Sequence, residues 1–325
     1  MSLTVHHLIF TATAATPVVL AEQSGPAVRG AISNALWDRF CANKSAPTCA
    51  GCPLYSRCPV AALVAPMRSE DEKGSDQRPR PYVVRPPRDS GRRYQAGETI
   101  RFGLALFGDA DIFFPYIVMA VRELERDGIG IALAELGRRR GKIRLNAIEA
   151  HNPLTGARQM LYPLPGGHVN FPSLPIDAAA VRDYAARLPT DQITLTFHTP
   201  IRLIDQDRLV KQIAFRPLIQ RLMRRLDDLS RAYGSGPLDI DFRGLLAIAE
   251  EVTTIADHTR WIDLVSVSAR QQRRTPIGGL VGSATFCGPL VPLRELIVWG
   301  SLIHVGRNAV KGDGWYTPEG MAILP

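Results

Sequence analysis

No apolar run in the 325-residue chain approaches the roughly 18 consecutive residues that a bilayer-spanning helix needs. The opening stretch, MSLTVHHLIFTATAATPVVLA, has no Lys or Arg ahead of its apolar patch, and threonines interrupt it. It therefore reads as a first strand and turn rather than a secretory signal, and a cytoplasmic location is expected. No Walker-type P-loop, HExxH, GxSxG or paired-carboxylate motif is present, which leaves NTP hydrolysis, zinc proteolysis and serine hydrolysis without support. Acidic residues are in deficit: 31 Asp and Glu face 39 Lys and Arg, giving a formal charge of +8 and a pI near 9.5. Such a balance favours an anionic partner. Arginine dominates the cations, which suits bidentate phosphate contacts and stacking on bases. Cysteine is scarce too, but four of the five lie between positions 41 and 58.

The chain is long enough for two domains, each with its own core. Residues 2 to 12 read as a strand and Ala27 to Phe40 as a short helix that runs into the cysteines. Residues 66 to 97, rich in Pro, Arg, Asp, Ser and Gly, read as a long mobile basic loop carrying Arg78, Arg80, Arg85, Arg88, Arg92 and Arg93. A strand over 98 to 107 and a helix from Asp111 to Asp127 follow. Asp109 or Asp111 is placed to cap that helix, and Gly128 to end it. Residues 142 to 149 form another expected strand. The Pro- and Gly-rich piece from Pro163 to Pro175 divides the chain into domains at 1–175 and 176–325. In the second half, Ile193 to Leu203 reads as a strand and Phe215 to Tyr233 as an amphipathic helix closed by Gly234. Leu218, Leu222, Leu226 and Leu229 make its apolar stripe, and Arg221, Arg224, Arg225 and Arg231 occupy its other faces.

The last fifth of the chain carries the most specific signal. A basic segment, WIDLVSVSARQQRRTPIGGLVG, runs from Trp261 to Gly282. An apolar helix pattern over Leu290 to Val298 follows, then WGSLIHVGRNAVKGDGWY from Trp299 to Tyr316. Glycines at 300, 306, 312 and 314 interleave with His304, Arg307 and Lys311, so that backbone amides and cationic side chains can approach a phosphate chain together. RNA is the polyanion expected there. Gly306, Gly312, Gly314, Arg307 and Lys311 are the expected binding residues of this loop, 300–314. Upstream, Arg270, Gln271, Gln272, Arg273 and Arg274 are expected to hold phosphates or read base edges. Trp261, Trp299, Trp315 and Tyr316 could stack bases, although core packing is the stronger reading for most of them.

The order "apolar helix, then HVGRNAVKGDGWY" resembles the glycine-rich C-terminal loop of the RAMP superfamily. With SARQQ and GGLVG upstream, it is similar to the CRISPR-associated endoribonucleases that cut repeat RNA into guides. ITLTFHTPIRL (193–203) and GETIRFGLALFG (97–108) resemble strands of that family's second and first domains. The resemblance implies an α+β fold of two ferredoxin-like (RRM/RAMP) domains side by side, the first with a cysteine-cluster insertion. It also implies repeat RNA as partner, a 2′,3′-cyclic phosphate product, and retention of the guide RNA, with other CRISPR effector subunits as further partners.

Cys41, Cys49, Cys52 and Cys58 lie in CANKSAPTCAGCPLYSRC, a cluster that in a cytoplasmic chain points to metal rather than disulfides. Four thiolates supply a closed tetrahedral shell, so a structural metal is expected, either Zn2+ or a 4Fe–4S cluster. Cys287 is expected in the core. Catalysis is expected to need no metal: the RNA 2′-hydroxyl attacks the adjacent phosphate once a base takes its proton. Of the seven histidines, His304 leads as that base because it opens the glycine-rich loop, and a helix-ending histidine bonded to a carbonyl is the competing reading. His258 ranks second, with His7 and His151 behind. In relatives the catalytic histidine lies near the first helix, where this chain has none between His7 and His151. Two rival functions follow. One is a non-catalytic RAMP subunit that only holds guide RNA; the other is an iron–sulfur or zinc DNA-processing factor.

Overall fold

The computed structural model describes residues 3–67, 78–163, 167–268 and 273–322. Within it the chain parts into two units, one of His6–His151 and Arg158–Leu174, the other of Pro175–Leu324 with Met1–Val5 and Asn152–Ala157.

The N-terminal unit begins with β1 (Val5–Ala14), whose branched and small apolar residues are almost all buried. Helix α1 (Gly25–Phe40) has Pro26 in its first turn, where the missing N–H costs nothing, and buries Val28, Ala31, Ile32, Ala35 and Leu36. After α2 (Pro59–Val64) come β2 (Tyr82–Arg85), β3 (Thr99–Phe107), α3 (Phe114–Asp127), β4 (Ile143–His151) and β5 (Arg158–Tyr162). The sheet order is β2-β3-β1-β4-β5. Tyr82 pairs with Leu106 and Leu8 with Ala150, both antiparallel. The succession strand, helix, two strands, helix, strand with the first strand inside the sheet is the ferredoxin-like arrangement. Phe10 and Phe102 stack at 5.1 Å beneath the helices, and Phe40 of α1 meets Tyr116 of α3 edge-on at 5.1 Å.

Two local expectations change here. Tyr82–Arg85 is a buried strand rather than part of a basic loop, because its side chains complete the sheet edge. Arg85 lies within that core at 5% exposure, and burial lowers its guanidinium pKa to about 9. Other cations of the segment serve protein partners: Arg80 donates to the Val64 carbonyl at 2.9 Å, Arg92 meets Asp89 at 3.0 Å, and Arg93 pairs with Glu135. Asp109 and Asp111 do not cap α3. They sit in a preceding 3-10 turn (Gly108–Phe113), and α3 starts without a side-chain cap. Its stripe of Ile117, Ala120, Val121 and Leu124 is buried, and Gly128 ends it at φ 73°.

The C-terminal unit repeats the topology with unrelated residues. Helix α4 (Ala178–Ala185) starts at Asp177, whose carboxylate accepts from the Ala180 N–H at 2.9 Å. There follow β6 (Gln192–Ile201), α5 (Phe215–Tyr233), α6 (Phe242–Glu251), β7 (Thr253–Asp257) and β8 (Arg260–Ile262). Next come β9 (Val265–Ser268), β10 (Arg273–Pro276), β11 (Gly279–Cys287), α7 (Arg294–Ile303) and β12 (Tyr316–Pro318). The main sheet runs β7-β11-β6-β12, with β8 also on β11; β9 and β10 form a separate hairpin. In β6, Ile193, Leu195 and Phe197 face the core, while Thr194, Thr196 and His198 are half-exposed on the opposite face. Leu218, Leu222, Leu226 and Leu229 of α5 are buried. Cys287 is only half-buried, at the end of β11. The described residues contain no helix long and apolar enough to cross a membrane.

Gly300 lies inside α7 against Tyr316, whose hydroxyl donates to the Ile297 carbonyl at 2.8 Å. A Cβ at 300 would sit 2.1 Å from that hydroxyl oxygen. Gly300→Ala should therefore destabilise the protein by about 1–3 kcal/mol through overpacking, although alanine is the better helix former. Thermal unfolding checks this, and Tyr316→Phe in the Gly300→Ala background should recover part of the loss.

His151 ends β4 at 3% exposure, and its pKa is lowered to about 4 by burial first, then by Arg158 and Arg85. The folded state thus holds it neutral, while the unfolded chain protonates near 6.5. Its contribution to stability is fully present above pH 6.5 and is lost as pH falls from there to about 4. Urea titrations across this window should show a shallower decline for His151→Gln than for the parent.

Candidate nucleic-acid interface

Where β6 leaves the sheet, Arg202 joins three segments distant in sequence. Its Nη1 donates to the Gly278 carbonyl at 2.9 Å, just before β11. Its own carbonyl accepts the Arg307 N–H at 3.1 Å from the glycine-rich loop. Its guanidinium lies 5.7 Å from the centre of the Trp261 ring, and Lys211 Nζ stands 6.0 Å from the same ring. Trp261 is half-exposed and held by its Nε1–H, which donates to Asp263 at 2.9 Å. A half-exposed indole between two cations is a platform on which a base can stack beside its phosphate.

The glycine-rich loop is a closed structure. Val305 N–H donates to the Gly314 carbonyl at 3.0 Å, and Gly314 N–H to the Pro200 carbonyl at 2.9 Å. Gly314 has φ +71°, and a Cβ there would fall 1.7 Å from the Val305 oxygen. Gly306, at φ +87°, passes over the Arg202 carbonyl, 2.7 Å from where its Cβ would be. A 3-10 turn over Ala309–Lys311 completes the loop. Gly312 and Gly314 are buried: Gly314 is glycine because the chain packs on itself, and Gly312 because it ends the 3-10 turn at φ 91°. Arg307 is exposed at the loop's surface, and Lys311 and Gly306 are half-exposed.

Helix α5 adds cations to the same face. Arg221 Nε donates to the Ile204 carbonyl. Its pKa is lowered by burial first, then by neighbouring Arg224, with Arg307 a further lowering influence. Arg221, Arg224 and Arg307 thus share one electrostatic neighbourhood, partly offset by Asp205 and Asp207. A pocket of ≈ 280 Å³ opens there, lined by Arg216, Arg221, Arg224, Gln220 and the Asp205–Asp207 turn. Arg216 is taken up by Glu250 at 2.7 Å and Asp205 at 3.3 Å, whereas Arg224 is exposed. Repelling guanidinium groups gathered in this way gain from an added anion.

The expected catalytic base is corrected. His304 has 0% exposure, and its ring stacks on Trp315 with centroids 6.3 Å apart and planes at 9°. It sits at the C-cap of α7 with φ 61°, and the run of buried side chains from Leu296 to Val305 carries it inward. No ring nitrogen of His304 can reach a bound ribose without local opening. His6, His7 and His151 are buried as well. His258 is exposed on the turn between β7 and β8, where Asp257 accepts from Thr259 N–H at 2.8 Å and Gly282 of β11 leaves room for the His258 carbonyl. His168 is also exposed, and half-exposed His198 places Nε2 2.8 Å from Thr317 Oγ1. Trp299, Trp315 and Tyr316 are core residues.

On the β9–β10 hairpin, Arg274 is exposed and pairs with Val267, and the Arg273 backbone pairs with Ser268. Arg270, Gln271 and Gln272 lie outside the described residues. Cys41, Cys49, Cys52 and Cys58 are each half-exposed and form no disulfide. Among the described residues, no three His, Cys, Asp or Glu side chains converge as metal ligands.

Sequence reasoning missed Arg202 and Lys211, and it placed Arg221 and Arg224 on the outer faces of their helix without deciding between RNA and solvent. The spacing of Arg221 and Arg224 put them on adjacent turns, but only the fold brings Arg307 to them. Nothing in IRL marks Arg202, since its partners come from Gly278, Arg307 and Trp261.

No curated protein sequence matches the chain. The model of an N-terminal domain, AF_1859_N, matches residues 3–170, more than half of the chain. The model of the CRISPR-associated endoribonuclease Cas6 matches residues 195–316. Among solved structures, Thermus thermophilus Cas6 aligns over 98% of this chain and 99% of its own, at 13% identity and TM-score 0.56. A Cas6 product complex aligns over 97% and 99%, at 15% identity and TM-score 0.55. A partial Cas6-RT-Cas1–Cas2 complex aligns over all of this chain and 48% of that one, at 14% identity and TM-score 0.60. At such identities these likenesses speak for the fold, two ferredoxin-like domains. Two family models thus divide the sequence between them: the chain belongs to the family of the AF_1859_N N-terminal domain, and its residues 195–316 are similar to the CRISPR-associated endoribonuclease Cas6.

Proposed function

We propose that this protein binds CRISPR repeat RNA and cuts it by metal-independent transesterification, holding the product as guide RNA. The observation that carries the reading is the convergence of Trp261, Arg202, Lys211 and Arg307 on the closed glycine-rich loop. The Cas6 match over residues 195–316 contains all four of these residues, and a neighbouring Cas6 was solved as a product complex. In the proposed reaction a base removes the 2′-hydroxyl proton, and the oxygen attacks the adjacent phosphorus. The P–O5′ bond then breaks, leaving a 2′,3′-cyclic phosphate and a 5′-hydroxyl. Arg307 and Arg224 would neutralise the charge gathering on the phosphorane. His258 is the proposed base, being an exposed histidine of the unit that carries the cation cluster. The Cas6-RT-Cas1–Cas2 neighbour makes other CRISPR proteins the proposed assembly partners.

A second reading, a subunit that holds guide RNA without cutting it, is favoured by the burial of His6, His7, His151 and His304. The third expectation, a DNA-processing factor, gains no support from the fold or the family.

End-labelled repeat RNA incubated with the protein in excess EDTA separates the first two readings. Cleavage of the all-ribose strand, and none of a strand carrying one 2′-deoxy nucleotide at the cut site, is the expected result. His258→Ala should then lower the single-turnover rate by roughly 10²–10⁴-fold with binding unchanged. Tight binding with both strands intact would favour the guide-holding subunit. For the binding surface, Arg307→Ala and Arg224→Ala should each reduce the slope of log K against log salt by about 0.7–0.9 if each contacts one phosphate. Filter binding at several salt concentrations reads that slope, and an unchanged slope in both variants removes them from the interface.

A further inference from the structure

The segment from Cys41 to Pro59, between α1 and α2, has no buried residue and a single three-residue turn of regular structure, Tyr55–Arg57. It lacks the apolar anchors that hold the rest of the unit; its Leu54 is 51% exposed. Yet its backbone is ordered in a repeating way. Cys52 N–H donates to Cys49 O at 3.1 Å, Tyr55 N–H to Cys52 O at 2.9 Å, and Cys58 N–H to Tyr55 O at 3.3 Å. Successive i→i+3 turns bring every third side chain to one side. Cys49, Cys52 and Cys58 fall in that register together with Tyr55, and all four are half-exposed among mostly exposed neighbours. Cys41 is the C-cap of α1, and Asn43 Nδ2, two residues on, donates to Cys52 Sγ at 3.7 Å. A segment that aligns thiols but packs no core is held by something other than apolar burial.

From this arrangement we infer that Cys41, Cys49, Cys52 and Cys58 bind one structural metal centre through four thiolates. The thiols do not yet meet at one point. Drawing them together needs side-chain rotation and a shift of a segment that contains no buried residue. Lys44 and Arg57, at either end, offset the negative charge of a four-thiolate shell. Such a shell leaves no open coordination position, so the centre holds the segment in place and takes no part in cleavage. Zn2+ and a 4Fe–4S cluster both suit four thiolates, and the test separates them.

The test is metal analysis and visible absorption of the full chain purified without oxygen or chelator. About one zinc per chain with no visible band identifies zinc; about four irons with a broad visible band identifies the cluster. Either result supports the proposal when Cys49→Ser/Cys52→Ser abolishes the stoichiometry. Should that variant not fold, the parent chain serves instead: a mercurial reagent should release the metal in step with modification of four thiols. The proposal is overturned by a metal content far below one per chain in protein whose four cysteines titrate as thiols or pair as disulfides. Metal retained in full by the double variant overturns it equally. RNA cleavage enters none of these readouts, so the outcome is independent of the proposed activity.

Discussion

The C-terminal unit depends on one close approach of backbone to backbone, that of Gly314 to Val305 and Pro200. With no side chain at 314, the chain leaving α7 doubles back and exchanges a hydrogen bond with its own start. This closure delivers Tyr316–Pro318 to the edge of β6, where Phe197 pairs with Tyr316. Any larger residue at 314 would force apart the loop, the last strand and the sheet together. The glycines of this loop thus act first through folding, which leaves Arg307 outside for the proposed RNA contact.

The cation cluster follows from that closure. Arg307 stands where it does because its N–H is tied to the Arg202 carbonyl, and Arg202 in turn is tied to Gly278. A side-chain bond holds the Arg202 guanidinium and a backbone bond fixes the chain at Arg307, so less conformational freedom remains to be lost when a phosphate arrives. Trp261 contributes an aromatic face that is half-exposed, whereas Trp299 and Trp315 are buried. The same unit thus separates tryptophans that make the core from Trp261, whose face remains available for stacking.

Periodic features were legible in the sequence. The stripe of Leu218, Leu222, Leu226 and Leu229 identified α5 over Phe215–Tyr233, and the alternation in ITLTF identified β6, because burial on one face imposes a period that no other constraint erases. Tyr82–Arg85 was lost within a Pro- and Arg-rich stretch: four residues are too few to show a period, and a buried arginine mimics a solvated one. The candidate site was legible as a region but not as a set of side chains. Glycines at 312 and 314 looked available to phosphate, yet composition cannot tell a glycine needed for self-packing or a left-handed turn from one needed for a ligand. His304 failed for a related reason, since a histidine following a fully buried helix is carried inward with it. Arg202 and Lys211 were invisible because their partners are long-range.

The central claim is that RNA lies on the surface formed by Arg202, Lys211, Trp261 and Arg307. Hydrogen exchange with and without repeat RNA tests it most directly, because it reports on each backbone segment without altering any residue. The account predicts protection concentrated in residues 202–211, 260–263 and 304–311. Protection absent from these segments and confined to residues 78–95 of the N-terminal unit would contradict it.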